Sequence, residues 1–262
     1  MPLYAGSFYP AEKEPLDRAI RKMLEENPVE ATLKKFKISS SKIRALIVPH
    51  AGYVYSGPVA AAAYNALSRT SPKRIVLLGP SHQDYIDGAY SFAGEWITPL
   101  GAISARSHAL LPRLRAIDDD QEHSLEVQVP FIQVALEQAK GFEFAPVIYG
   151  EIDAEDLFES IGGLVSKQSI FIASSDLSHY LPYAEAKTVD TETIRAILSL
   201  DYDEFMRIGD ACGKTGIAAL MLIAEKNRWK PFLLDYRNSG DTAGSADKNR
   251  VVGYASIVFV EQ

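Results

Sequence analysis

The chain has 262 residues, of which 47% are hydrophobic, and this is enough to bury one large core. Its formal net charge of −7 argues against nucleic acid or an anionic membrane as the main partner. The single cysteine excludes an intrachain disulfide framework and favours a cytoplasmic protein.

The first residues, 1–10, lack the basic and apolar regions of a signal peptide and are expected to form an extended arm. Apolar residues at every fourth position from Leu16 then predict an amphipathic helix over Glu12–Glu26. A polar linker, Lys34–Lys42, is expected to follow. Throughout the chain, no apolar run approaches the roughly 18 residues that a transmembrane helix needs.

A strand, a helix and a second strand come next. The short apolar run Ala45–Val48 predicts a buried strand, and Arg74–Leu78 predicts another. Between them, the residues after Gly57 are rich in helix formers and place Pro58 near the first turn, where it is tolerated. This order predicts a βαβ unit and therefore a parallel sheet.

In the middle of the chain, the hydrophobic pattern that predicts strands and helices is weaker. Tyr85–Ala93 and Trp96–Ile103 indicate edge strands or an inserted hairpin, and Asp118–Asp120 indicates an acidic loop. The apolar residues from Leu125 to Leu136 predict a helix that the interior Pro130 kinks.

The second half of the chain again alternates strands and helices. The pattern predicts strands at Phe144–Tyr149, Ser169–Ala173, Pro231–Tyr236 and Val251–Phe259, and helices at Ala154–Ser166, Tyr183–Ile208 and Gly216–Lys226. The long helix is expected to break near Asp201. We therefore predict a single α/β domain over residues 1–262, with a central mostly parallel sheet flanked by helices.

Three of the five histidines follow predicted parallel strands, namely His50, His82 and His179. The carboxyl ends of such strands meet at one edge of the sheet, where open α/β sheets bind their ligands, so these side chains are expected to converge. His123 opens a predicted helix, and His108 has the setting of an ordinary surface residue. A single loop histidine is usually structural, so only the group of three such histidines indicates a binding site.

Cys212 lies just before a predicted helix. Thr215 is a plausible N-cap for that helix, and both the helix N-terminus and Lys214 would favour the thiolate. The alternative is that Cys212 is a small buried apolar side chain, as free cysteines often are.

Two chemistries fit these residues. In the first, imidazoles and the Cys212 thiolate bind one transition metal and leave a coordination position open. In the second, Cys212 is a nucleophile and a histidine is its base. Asp176 would orient His179, act as an acid or base, or serve as a turn residue. Glu122 and Glu126 flank His123, and a helix-start charge is their simplest explanation.

Several motifs resemble those of the Memo family, which is also called AmmeMemoRadiSam system protein B in prokaryotes. They occur in order from end to end, at Ala5–Pro10, Pro49–Ala61, Leu77–His82, Glu122–Phe131, Ser174–Tyr180, Cys212–Leu220 and Val251–Ser256. The resemblance implies a fold similar to that of the class III extradiol ring-cleavage dioxygenases. In those enzymes two histidines and a glutamate hold ferrous iron, and a further histidine is the acid or base.

Matched motif by motif, the resemblance implies that His50, His82 and Cys212 are the metal ligands. It places His179 at the acid/base position, with Asp176 beside it, and His123 in the lining of the pocket. A thiolate in place of the carboxylate makes the site softer and moves its preference from iron towards copper or zinc. We expect iron or copper first and zinc as a further candidate.

The resemblance also implies possible partners. Eukaryotic members are described as adaptors for phosphorylated receptor peptides and carry an Arg-His pair where this chain has Lys214-Thr215. Prokaryotic gene neighbourhoods suggest a radical SAM protein and an AMMECR-type protein. We predict a cytoplasmic metalloprotein with a dioxygenase-like oxidoreductase activity on a small-molecule or peptide ligand. The alternatives are a peptide-binding adaptor that uses the same pocket and a metal-free Cys212/His179 hydrolase.

Overall fold

The elements below come from a computed structural model, which describes residues 2–117, 122–139, 141–243 and 247–262. The predicted acidic loop Asp118–Asp120 lies outside this part of the chain. The strands are β1 (Ile43–Val48), β2 (Arg74–Pro80), β3 (Ala89–Phe92), β4 (Gly94–Thr98), β5 (Gly101–Ala105), β6 (Arg115–Ile117), β7 (Glu143–Tyr149), β8 (Ser169–Ser174), β9 (His179–Leu181), β10 (Trp229–Asn238) and β11 (Val251–Glu261). The helices are α1 (Lys13–Glu26), α2 (Glu30–Lys35), α3 (Tyr53–Leu67), α4 (Ser107–Leu110), α5 (His123–Glu126), α6 (Gln128–Ala135), α7 (Ala154–Ile161), α8 (Tyr183–Ser199), α9 (Tyr202–Ile208), α10 (Lys214–Lys226) and α11 (Ser239–Thr242).

Four parallel strands form the centre of the sheet, in the order β1-β8-β2-β7. Antiparallel β11 and β10 extend the sheet beyond β1, while β3, antiparallel to β7, extends it on the other side. The sheet is therefore mixed but mostly parallel at its centre, and helices flank it. This confirms the predicted single-domain α/β fold.

The sheet separates two apolar cores, because successive side chains of a strand point to opposite faces. On β1, Leu46 and Val48 belong to the core that α1, α3 and α6 cover. Ala45 and Ile47 belong to the core that α7, α8 and α10 cover. The central strands are buried on both faces, which explains why they are almost continuously apolar.

The helix break predicted near Asp201 is confirmed, whereas the helix predicted to kink at Pro130 is two helices. Helices α5 and α6 are separate, with the break at Val127, and α8 ends two residues before Asp201. The Asp201 carboxylate accepts a hydrogen bond from the Glu204 N–H at 3.0 Å and caps α9. The sequence pattern therefore located the break near Asp201, but the other interruption lies three residues before Pro130, which is inside α6.

Other boundaries differ from the prediction. Helix α3 begins at Tyr53, so Pro58 lies inside it, and the Tyr53 N–H is already satisfied by the Phe8 carbonyl at 2.8 Å. The region predicted to hold edge strands or an inserted hairpin contains β3 and the antiparallel hairpin of β4 and β5, and α2 occupies part of the predicted linker. The amino-terminal arm is turned rather than extended, since Gly6 N–H donates to the Tyr9 carbonyl at 2.7 Å.

No helix in residues 2–117, 122–139, 141–243 and 247–262 combines the length and apolarity needed to cross a bilayer.

Candidate metal centre

The turn after β1 holds His50 through the neighbouring strand β8. The Asp176 carboxylate, just past β8, accepts hydrogen bonds from the backbone N–H groups of His50 at 2.8 Å and Ala51 at 3.3 Å. Ser175 N–H in turn donates to the Val48 carbonyl at 2.8 Å. These bonds continue the pairing of the parallel strands into their loops, so both loops have a defined conformation.

Three imidazoles converge at this edge of the sheet. The ring centroids of His50 and His82 are 5.1 Å apart, and that of His123 lies 5.3 Å from His50 and 4.8 Å from His82. One nitrogen from each ring falls within 4.8 Å of one nitrogen from each of the others, a spacing at which they could hold one metal ion. Of the three histidines expected to converge, His50 and His82 do so, while the third ring of this cluster belongs to His123 and not to His179.

Glu122 connects two of these histidines. Its Oε1 lies 3.1 Å from His82 Nδ1 and 2.9 Å from His123 Nδ1, and its Oε2 accepts from the His82 backbone N–H at 2.6 Å. The side chain also accepts from Ser124 N–H and so caps α5, as a helix-start charge would. Burial would raise the pKa of Glu122, but the adjacent His123 imidazole and the hydrogen bonds from His82 and Ser124 outweigh it and lower the pKa below its ordinary value.

His50 is the most enclosed of the three histidines, with 2% of its surface exposed. Burial, together with the nearby His82 and His123 rings, holds the pKa of His50 well below its usual range. The neutral imidazole is the form that binds metals, so this environment suits a ligand.

Cys212 approaches the same cluster from the loop before α10. Its Sγ lies 3.2 Å from His50 Nε2 and accepts the Asp176 backbone N–H at 3.3 Å. Gly213 makes this approach possible, because a Cβ there would lie 2.6 Å from the Ser174 carbonyl oxygen. Two donors on one zinc-sized ion, at bond lengths of about 2.1 and 2.3 Å, lie roughly 3–4 Å apart, so the nitrogen–sulfur distance fits a shared metal.

The expected activation of the Cys212 thiolate was wrong for the metal-free chain. Burial and the Asp176 carboxylate raise the pKa of Cys212 to about 12. Lys214 Nζ donates instead to the Met206 carbonyl at 2.8 Å, and the N-cap of α10 is Gly213 rather than Thr215. Binding of a cation would favour the thiolate, since metal ligation displaces the thiol proton.

His179 and Asp176 differ in their access to solvent. His179 is exposed on β9, where it pairs with Val252, and its proximity lowers the pKa of both His50 and Asp176. Asp176 is buried, and burial raises its pKa against the opposing effect of the His50 N–H. The contacts of Asp176 suit positioning, while those of His179 allow proton exchange with water. His108 is exposed on α4, as the sequence indicates.

The amino-terminal arm forms part of the site wall, which the sequence reasoning missed. The rings of Tyr4 and Phe8 lie 5.5 and 5.0 Å from the His123 ring. The arm is held by Glu126, which accepts from the N–H groups of Leu3 and Tyr4, both at 2.9 Å, and from the Tyr9 hydroxyl at 2.6 Å. The apolar residues of the arm motif were the available signal, but nothing near them in sequence indicated their partner.

Comparison with known proteins places the chain in a family. Residues 1–258 match the family described as Memo-like protein. The chain is 38% identical to a MEMO1 family protein of Thermoplasma acidophilum, with 99% of this chain and 98% of that protein aligned. It is 37% identical to one of Sulfolobus acidocaldarius, with the same coverage, and 36% identical to one of Methanosarcina barkeri, with 98% of each aligned.

A solved structure supports the fold separately. An uncharacterised protein from Escherichia coli K12 superposes with a TM-score of 0.52 at 14% identity, over 82% of this chain and 99% of that one. At this identity the likeness concerns the fold alone. From the family match and the relatives, which span nearly all of its length, the chain belongs to the Memo-like family.

Proposed function

We propose that this chain binds one transition-metal ion through His50, His82 and Cys212, with His123 as a further nitrogen donor. The observation that carries this proposal is the convergence of three imidazole nitrogens within 4.8 Å of one another. The 3.2 Å contact between Cys212 Sγ and His50 Nε2 supports the thiolate as a ligand beside His50.

The donor set suggests which metals would bind. Imidazole nitrogen suits iron, copper and zinc, and a thiolate adds preference for the softer ions. We propose iron or copper as the working metal, because the family resemblance points to oxidoreductase chemistry, and zinc as a competitor for the same donors.

The proposed reaction is a metal-dependent oxidation of a small molecule by dioxygen, which is the electron acceptor, by analogy with the extradiol dioxygenases. The bound metal would supply electron transfer and polarise oxygen atoms of the ligand. His179, at the exposed rim, would take up or release the proton of the reacting group and exchange it with water. The rings of Tyr4 and Phe8 would contact a flat apolar part of the ligand.

The metal content of protein purified without chelator tests this proposal. We expect His50→Ala, His82→Ala and Cys212→Ser to lose most of the bound metal, and His123→Ala to lose less. His108→Ala is the matched control, because His108 is an exposed histidine outside the cluster, and it should bind metal like the parent chain. A thiolate-to-metal charge-transfer band should be present with copper and disappear in Cys212→Ser.

Equal metal content in all of these variants would overturn the site. If the chain instead carried no metal and bound a peptide at the same pocket, the adaptor alternative would replace the oxidoreductase. The metal-free hydrolase is disfavoured already, because a thiol whose pKa is raised to about 12 is a poor nucleophile at neutral pH.

A further inference from the structure

A buried hydroxyl next to His50 has all of its hydrogen-bonding capacity in use. Ser174 Oγ lies 2.5 Å from the Ser124 carbonyl oxygen, 2.8 Å from Gln128 Nε2 and 3.0 Å from His50 Nδ1. Ser174 and Gln128 are both almost completely inaccessible to solvent. A hydroxyl has one hydrogen to donate and two electron pairs that accept, so these three contacts saturate Ser174.

The direction of each bond follows from partners that can only accept. The Ser124 carbonyl cannot donate, so it must receive the Ser174 hydroxyl hydrogen. The Pro49 carbonyl cannot donate either, so the nitrogen of the Gln128 amide faces it, at 2.9 Å. The Tyr64 hydroxyl donates to Gln128 Oε1 at 2.7 Å and supports the same orientation of the amide.

The Ser174 hydroxyl hydrogen and the Gln128 amide hydrogens are therefore each already bonded to an acceptor. Gln128 Nε2 donates to Ser174 Oγ, and the remaining electron pair of Ser174 can only accept. His50 Nδ1 must then carry a hydrogen, because two acceptors facing each other at 3.0 Å in a buried place would leave both unsatisfied.

We infer that Ser174 is a positioning residue, which Ser124 and Gln128 orient so that His50 carries its hydrogen on Nδ1 and presents the Nε2 electron pair to Cys212, His82 and His123. The tautomer is a property of the metal-free chain, whereas its use in ligation rests on the proposed function. Metal-binding histidines are commonly held in this way through the ring nitrogen that does not bind.

Nuclear magnetic resonance of the full chain with ¹⁵N-labelled histidine tests the tautomer directly. In chelator-treated parent protein at slightly alkaline pH, we expect the His50 Nδ1 signal to be that of a protonated ring nitrogen and the Nε2 signal that of an unprotonated one. In Ser174→Ala, part of the His50 population should move its hydrogen to Nε2. Ser174→Thr keeps the hydroxyl and should keep the parent tautomer.

Affinity for Co²⁺, followed by its absorption bands, gives a second readout. Ser174→Ala should weaken binding about 10- to 100-fold, the usual effect of losing a partner that orients a ligand. Ser256→Ala is the matched control, since Ser256 is also a fully buried serine but donates to the distant Val59 carbonyl at 2.6 Å. This variant should leave both the tautomer and the Co²⁺ affinity unchanged.

The possible results separate this inference from the proposed function. A parent protein with the hydrogen on His50 Nε2, or a Ser174→Ala variant with an unchanged tautomer, overturns the inference. If the tautomers are as expected but the chain binds no metal, the tautomers support the inference and the lack of binding contradicts the proposed function. If Ser174→Ala does not fold, the parent spectrum alone still decides the tautomer.

Discussion

Glu122 and Asp190 are buried to a similar degree, with 2% and 0% of their surfaces exposed, but their pKa values move in opposite directions. That of Glu122, beside the histidine cluster, is lowered. That of Asp190, on α8 and bonded to the Ser178 N–H just before β9, is raised. Burial alone would raise both, because it disfavours a charged carboxylate, so the difference must come from the partners.

The partners differ in number and kind. Glu122 faces two imidazole nitrogens and accepts from three backbone N–H groups, those of His82, Gln83 and Ser124. Asp190 accepts from Ser178 N–H at 3.0 Å and the Tyr236 hydroxyl at 2.8 Å, and the charge of Asp210 raises its pKa further. A carboxylate that keeps its charge suits the Nδ1 atoms of the two imidazoles, which lie 3.1 and 2.9 Å from its Oε1.

The largest effect is expected when Glu122 is removed. Glu122→Ala would leave the His82, Gln83 and Ser124 N–H groups and the His82 imidazole without their acceptor and would remove the charge beside His123, so we expect the free energy of unfolding to fall by at least about 2 kcal/mol. Metal affinity should fall roughly 100-fold or more, since two histidines lose their orienting partner together. Urea unfolding and Co²⁺ titration measure the two quantities.

A surface glutamate provides the control for this variant. Glu143 pairs with Arg74 at 2.6 Å but is largely exposed, so Glu143→Ala should change stability by less than about 1 kcal/mol and leave metal affinity unchanged. An equally small effect of Glu122→Ala would mean that its hydrogen bonds do not set the difference from Asp190.

Glu126 provides an intermediate case, because it is buried on the same helix but faces the amino-terminal arm instead of the imidazoles. Glu126→Gln replaces an acceptor oxygen by an amide that faces N–H groups, and we expect a loss of about 1–3 kcal/mol in the free energy of unfolding. Hydrogen exchange should become faster at Tyr4, which donates to Glu126 at 2.9 Å. Metal affinity should fall less than in Glu122→Ala.

Glu137→Gln serves as the comparison for this prediction. Glu137 is a half-exposed partner of Arg21, so its loss should not change exchange in the arm. Unchanged exchange at Tyr4 in Glu126→Gln would show that the arm is held mainly by its aromatic contacts.

The sequence was sufficient to predict the approach of His50 and His82. Both follow buried apolar runs, and the ends of parallel strands share one edge whatever the details of the loops. The four central strands could be predicted for the same reason, because burial on both faces makes them continuously apolar. These features depend on local pattern and on a general rule of topology.

The partners of these histidines could not be predicted in this way. Ser174 and His50 are 124 positions apart, and Glu126 contacts residues more than 100 positions earlier in the chain. Serine and glutamate at a strand end or a helix start have ordinary local explanations. Their roles depend on distances that only the packed sheet and its loops define.

The smallest effect is expected from Asp190→Asn, and it appears as a dependence on pH. Because the pKa of Asp190 is raised on folding, its contribution to stability is complete below the unfolded value of about 3.9 and is lost as pH rises through the folded value. The stability of the parent relative to Asp190→Asn should therefore decrease as pH rises through that window. Urea unfolding of both proteins over a pH series measures this slope.

Two further variants determine whether the slope belongs to this carboxyl group. Glu192→Gln removes an exposed carboxyl from the same helix and should give no slope relative to the parent. For Glu122→Gln the sign reverses, because a lowered pKa gives a contribution that is present above about 4.3 and lost as pH falls. If Asp190→Asn and Glu122→Gln gave slopes of the same sign, burial rather than the hydrogen-bond partners would control both groups.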